Sequence, residues 1–147
     1  MNQNFSFSSK FGKAYVAAIR SGRKDMTNRF ASEFRAKCKI NDLMHCFLDL
    51  RSENRKRLFD VPVQRRILWF VDDMPQPEVA HEVMSPRYSF SWRDFAIKDG
   101  LSTYTEFYEY FQNHKKGKKF FCFIWDPAQR LKKITLMRFI KKKKKII

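Results

Sequence analysis

Lys24, Thr27 and Arg29 set a hydroxyl between two cations on one short segment. Ammonium and guanidinium groups hold phosphate or carboxylate through charge-assisted hydrogen bonds. A threonine hydroxyl can donate to such an anion, or act as a nucleophile if a base takes its proton. Far along the chain, Asp99-Gly100 adds a carboxylate beside a glycine. At the end of a helix that carboxylate meets the negative pole of the helix dipole, which favours a cationic partner, and Lys24 is a candidate. Taken alone, each feature has an ordinary alternative. A charged loop is more often a solvated connector, and a glycine after a helix is usually its cap.

The elements that must position these residues can be read from periodicity. Phe5 and Phe7 alternate with polar residues as in a short strand. Phe11, Tyr15, Ala18 and Ile19 then fall on one helical face, and Ser21-Gly22 closes that helix with glycine at the position after its end. Gly22 to Arg29 is polar throughout and reads as an exposed loop. Leu43 to Leu50 is a predicted strand, followed by a basic stretch from Arg51 to Arg57. A second is predicted over Gln64 to Asp72, where Ile67 to Val71 is continuously apolar. Pro75 and Pro77 make Met74 to Arg87 irregular, with one short helix at most. Ser91-Trp92-Arg93-Asp94 and Thr103-Tyr104-Thr105-Glu106 both have capping-box form. The first opens a helix ending at Asp99-Gly100. The second opens one with Tyr104, Phe107, Tyr108 and Phe111 on a single stripe. Lys119 to Asp126 reads as a strand buried on both sides, with Phe121, Phe123 and Trp125 facing one way and Phe120, Cys122 and Ile124 the other. Helices and strands do not alternate regularly, so the expected class is α+β with a small, mostly antiparallel sheet or barrel.

The order of these pieces is recognisable. Ile19-Arg20-Ser21-Gly22-Arg23-Lys24-x-x-Thr27-x-Arg29 is followed by Phe95-Ala96-Ile97-Lys98-Asp99-Gly100, an aromatic helix around Glu106 to Phe111, and Phe123-Ile124-Trp125. This resembles the ASCH family of the PUA-like superfold, whose motif is G-x-K-x-x-T-x-R with a later D-G-F-type element, an aromatic helix and a closing strand. The resemblance covers Phe5 to Asp126. It implies a small PUA-like β-barrel with flanking helices, an ASCH-like domain over 1–127, and a basic C-terminal extension over 128–147. It also implies an RNA or nucleotide ligand in a cleft at the Gly22–Arg29 segment, with Arg23, Lys24, Arg29, Arg65 and Arg66 as candidate contacts. One bacterial branch of the family removes the acetyl group of N4-acetylcytidine with a Lys, a Thr and a Glu. By position these fall on Lys24, Thr27 and Asp99, which makes a hydrolase of modified nucleosides or of RNA the alternative function. Asp99 is one methylene shorter than Glu, Asp25 stands where Thr is common, Asn28 where an apolar residue is usual, and Leu101 where Phe is.

Charge bears on the partner. Thirty-one Lys+Arg against 15 Asp+Glu leave +16, and nine of the cations lie between Arg130 and Lys145 with no acid among them. Such a field concentrates polyanions, so an RNA or nucleotide partner is expected, and the extension would add sequence-independent affinity. A protein-interaction regulator using the tail on an acidic partner is a third reading. Cys38, Cys46 and Cys122 have neither disulfide-framework nor zinc spacing, and His45, His81 and His114 have no ligand spacing. No metal or cofactor is therefore expected. Trp69, Trp92 and Trp125 are read as core before stacking platforms. No apolar run approaches a membrane span and Met1 to Lys13 has no signal-peptide core, so the expected location is cytoplasmic.

Overall fold

The computed structural model describes residues 1–100 and 103–131; Leu101 and most of the basic extension lie outside the described residues. The alternation at Phe5 and Phe7 forms β1 (Gln3–Phe7), with both rings buried. A 3-10 turn (Ser9–Phe11), opened by the Ser8 hydroxyl accepting from the Lys10 N–H, redirects the chain into α1 (Lys13–Ser21). Gly22 ends α1 in the left-handed conformation at φ 86°, and a Cβ there would lie 2.9 Å from Pro127 Cβ. Two requirements thus select glycine at this point.

The chain continues through β2 (Met26–Phe30), α2 (Glu33–Ala36), β3 (Leu43–Leu48), β4 (Lys56–Pro62) and β5 (Arg65–Phe70). It ends in α3 (Trp92–Asp99), α4 (Tyr104–His114) and β6 (Lys119–Ile124). Both capping boxes form: Ser91 Oγ accepts from the Asp94 N–H at 3.2 Å, and Thr103 Oγ1 from the Glu106 N–H at 3.1 Å. Two expectations are corrected. Met26 to Phe30 is strand rather than loop, because β6 offers it a full antiparallel ladder from Met26↔Ile124 to Phe30↔Phe120. The basic stretch after β3 is a turn that runs into β4, whose Lys56-Arg57 start hides the strand pattern.

The class is α+β. Strands form two three-stranded sheets, β1-β3-β4 and β2-β6-β5, and among the described residues their ladders close no barrel. All pairings are antiparallel except β1 with β3. Strand β6 divides the interior as its alternation predicts. Phe120, Cys122 and Ile124 join a core with Trp69, Trp92, Phe95, Phe107 and Phe111 under α3 and α4. Phe123 and Trp125 join the opposite core with Phe5, Phe7 and Ile19. All three tryptophans are core residues. Each such aromatic contributes on the order of 2–3 kcal/mol through burial, and the first core takes Met26 of β2 together with Trp92, Phe95 and Ala96 of α3. Among the described residues no helix is long and apolar enough to cross a membrane.

Candidate functional site

Lys24 leaves the end of α1 with its N–H donating to Ala18 O at 3.0 Å. Its side chain runs inward to 2% exposure, where Nζ donates to the Asp99 carbonyl at 2.7 Å and lies 3.5 Å from Asp99 Oδ1. The last carbonyls of a helix have no intrahelical donor and carry the negative end of the dipole. The ammonium therefore answers both needs at the end of α3. Burial pulls the Lys24 pKa below the usual lysine value, while the Asp99 charge opposes that shift.

Gly100 caps α3 at φ 104°, and a Cβ there would meet Tyr15 Cδ2 at 2.5 Å. Only glycine lets the Tyr15 ring lie against this turn. The same ring presents its face to Lys24, with Nζ 5.6 Å from the centroid. Burial pushes the Tyr15 phenol well above its ordinary pKa, and the nearby Asp99 charge adds to this.

Asn28 on β2 completes the cluster. Trp69 Nε1 donates to Asn28 Oδ1 at 2.9 Å, and Asn28 Nδ2 donates to Asp99 Oδ1 at 3.0 Å. An indole nitrogen can only donate, so Trp69 fixes which end of the amide faces Asp99. Asp99 Oδ1 thus receives Lys24 and Asn28, while Oδ2 has no partner among the described residues.

Thr27 and Arg29 also lie on β2. Arg29 Nε donates to Thr27 Oγ1 at 3.0 Å, and Nη2 donates to Ser6 O at 2.7 Å. Its guanidinium lies 5.4 Å from the Phe5 ring centroid and 5.2 Å from that of Phe7. Burial lowers its pKa. Thr27 is 5% exposed; its oxygen accepts from Arg29, so its own proton is left to point elsewhere.

Lys24, Thr27, Asn28, Arg29 and Asp99 line one cavity of about 370 Å³, together with Ser6 to Ser8, Phe11, Tyr15, Glu106, Tyr110 and Phe120. Its floor is polar and its walls are mostly aromatic. Phe11 at 60% exposure and Tyr110 at 47% are the open aromatic members. Chemically this is a concave site with a carboxylate oxygen unpartnered among the described residues, a hydroxyl proton and two internally bonded cations.

The three residues proposed for catalysis therefore converge. The other expected contacts do not all join them. Arg23 is directed to Ser21 Oγ at 3.2 Å and borders a neighbouring groove with Lys24. Arg66 donates to the carbonyls of Ala36 at 2.6 Å and Cys38 at 2.8 Å, and neither it nor Arg65 lines the cavity. Asp25 turns outward: Arg87 grips it at 2.8 and 3.2 Å, and Lys98 Nζ stands 3.5 Å away. Its charge is answered outside the cavity, so it does not oppose the cations within. Sequence reasoning missed Tyr15, Tyr110 and Glu106 as cavity residues. The glycine of Asp99-Gly100 was the available signal for Tyr15, because it marks a close approach; nothing in the pattern distinguished Tyr110 or Glu106.

No family model matches the chain, and no curated protein matches it. Among solved structures it is similar to the hypothetical protein PH0355, at 14% identity and a TM-score of 0.46, over 85% of this chain and 98% of that one.

Proposed function

We propose that this chain is an ASCH-like domain, of PUA-like architecture, that binds RNA or a nucleotide in the cavity floored by Lys24, Asn28 and Asp99. One observation carries the reading. Lys24, Thr27 and Arg29 lie far in sequence from Asp99, yet line a single aromatic-walled cavity with it. Cores are normally filled, so polar groups buried around open volume indicate a ligand site. Aromatic walls suit stacking on a base, and the strongly basic chain suits a polyanion.

The test is equilibrium binding of single-stranded RNA across a salt series, with the full chain and with residues after Arg130 removed. Affinity falls with salt in both, and the shortened protein retains cavity-dependent binding that Lys24→Met weakens. Complete loss on truncation, with no effect of Lys24→Met, refutes the cavity reading.

A second reading, hydrolysis of an amide on a modified cytidine, draws on Thr27 lying in the same cavity as Lys24 and Asp99. Thr27, or a water held by it, would attack the acyl carbon, with Lys24 beside the developing oxyanion and Asp99 taking and returning protons. The immediate partner of Thr27 is Arg29, a donor and not a base, which makes binding the better supported of the two. Release of cytidine and acetate from N4-acetylcytidine, abolished by Lys24→Met, is the outcome that reverses this ranking.

A further inference from the structure

The cavity contains cations, but they are not arranged to receive a phosphate. Lys24 Nζ is directed to two oxygens of Asp99. Arg29 directs Nε to Thr27 and Nη2 to Ser6. The Asp99 carboxylate lines the same space and opposes a dianion there. What the cavity offers an incoming group is the acceptor Asp99 Oδ2, the Thr27 proton and aromatic walls. Those features suit an uncharged planar base rather than its phosphate.

The phosphates of a strand must then run outside, and one surface beside the cavity fits them. The turn between β3 and β4, residues 49–55, is fastened to the cavity wall by three hydrogen bonds. The Asp49 N–H donates to Phe7 O at 2.8 Å, the Ser9 N–H to Asp49 Oδ1 at 2.9 Å, and the Leu50 N–H to Ser6 Oγ at 3.1 Å. Ser6, Phe7 and Ser8 themselves line the cavity. On this turn and the first residue of β4, Arg51, Arg55 and Lys56 are all exposed. None of the three has a salt-bridge partner among the described residues. Two acids lie nearby, the half-buried Asp49, which accepts from the Ser9 N–H, and the exposed Glu53, so the three cations still outnumber the opposing charges.

We infer that the β3–β4 turn is the phosphate track of a single-stranded RNA whose base enters the cavity, with Arg51, Arg55 and Lys56 contacting the backbone. This rests on the base-binding reading above. It adds a division of labour: the cavity reads an uncharged base, and the turn holds the strand.

The test compares two variants of equal charge change in the full chain. R51E/R55E alters the track. K37E/K39E alters two exposed lysines before β3, at the opposite end of the same sheet. Binding of a short mixed-sequence RNA is measured against salt, and displacement of that RNA by free nucleosides and by inorganic phosphate is measured alongside. R51E/R55E should weaken RNA roughly tenfold and reduce the salt slope by about 1.4, the value for two lost single-strand contacts. K37E/K39E should change affinity less than threefold on the same scale (~0.6 kcal/mol). Nucleosides should compete equally well against both variants, and inorganic phosphate should not compete. Equal weakening by the two variants overturns the track, since it reports only the general field. Phosphate that competes better than nucleosides, and equally well against wild type and R51E/R55E, also overturns it, because the anion would then sit inside and not on the turn. If wild-type protein binds neither RNA nor nucleoside, the underlying reading falls first and the track with it.

Discussion

Asp60 and Asp99 sit in clusters of similar composition, Asp99 at 18% side-chain exposure, and they differ in what is left over. Asp60 on β4 is fully buried. Its Oδ1 accepts from Arg57 at 2.8 Å and faces His45 Nδ1 at 2.9 Å, while Oδ2 accepts from Arg57 at 2.8 Å. Its backbone is paired with Leu131 in both directions. Asp99 likewise has a cation and a neutral side chain on one oxygen, but it lines a cavity and its other oxygen has no partner among the described residues. A carboxylate with both oxygens answered holds a fold together. One with capacity remaining beside open volume is available to a ligand.

The sharpest way to break that contrast is to remove each carboxylate and read stability and ligand binding separately. Asp60→Ala removes the buried acceptor of the exposed Arg57 and of His45 and should cost about 2 kcal/mol in urea denaturation, with ligand affinity within twofold of wild type. A loss of binding equal to that of an Asp99 variant would erase the distinction. Asp99→Asn keeps the shape but removes the counter-charge of Lys24. It should cost about 1–2 kcal/mol in stability while weakening the ligand roughly tenfold or more. Binding that survives Asp99→Asn unchanged would show that Oδ2 is idle.

The smallest effect concerns pH. Burial holds Lys24 below the ordinary 10.5, so between its folded value and 10.5 the folded chain has released a proton that the unfolded chain keeps. Stability from this residue should therefore rise with pH across that window, by at most about 1.4 kcal/mol per pH unit, and level off above it. Urea titrations of wild type and Lys24→Met at increasing pH should give a growing difference in favour of wild type. A flat or falling difference contradicts the sign.

Legibility in the sequence followed the kind of signal each element carries. Strand β6 was readable because both its faces are apolar and alternate cleanly between two cores. Both capping boxes were readable because a hydroxyl three residues before an acid is a local chemical device. Strand β2 was hidden because its ladder partner lies far along the chain and its residues Thr27, Asn28 and Arg29 are polar, as the cavity requires. The residues that make the site are thus the same ones that disguise the strand. A cationic partner for Asp99 was legible from helix electrostatics, with Lys24 as one candidate. The Trp69–Asn28 link was not, since an indole at the centre of an apolar run gives no sign of where its N–H points.

The pairing of β2 with β6 also sets the order in which the molecule can become functional. Residues 26–30 find their ladder only in residues 120–124. Contacts so distant in sequence close late and slow the folding search. During synthesis the Lys24 ammonium therefore stays in water until nearly all of the described chain has emerged. The cavity is completed when β6 pairs with β2, the strand that carries Thr27, Asn28 and Arg29. A ribosome-bound fragment that stops before β6 has the motif and no receptor.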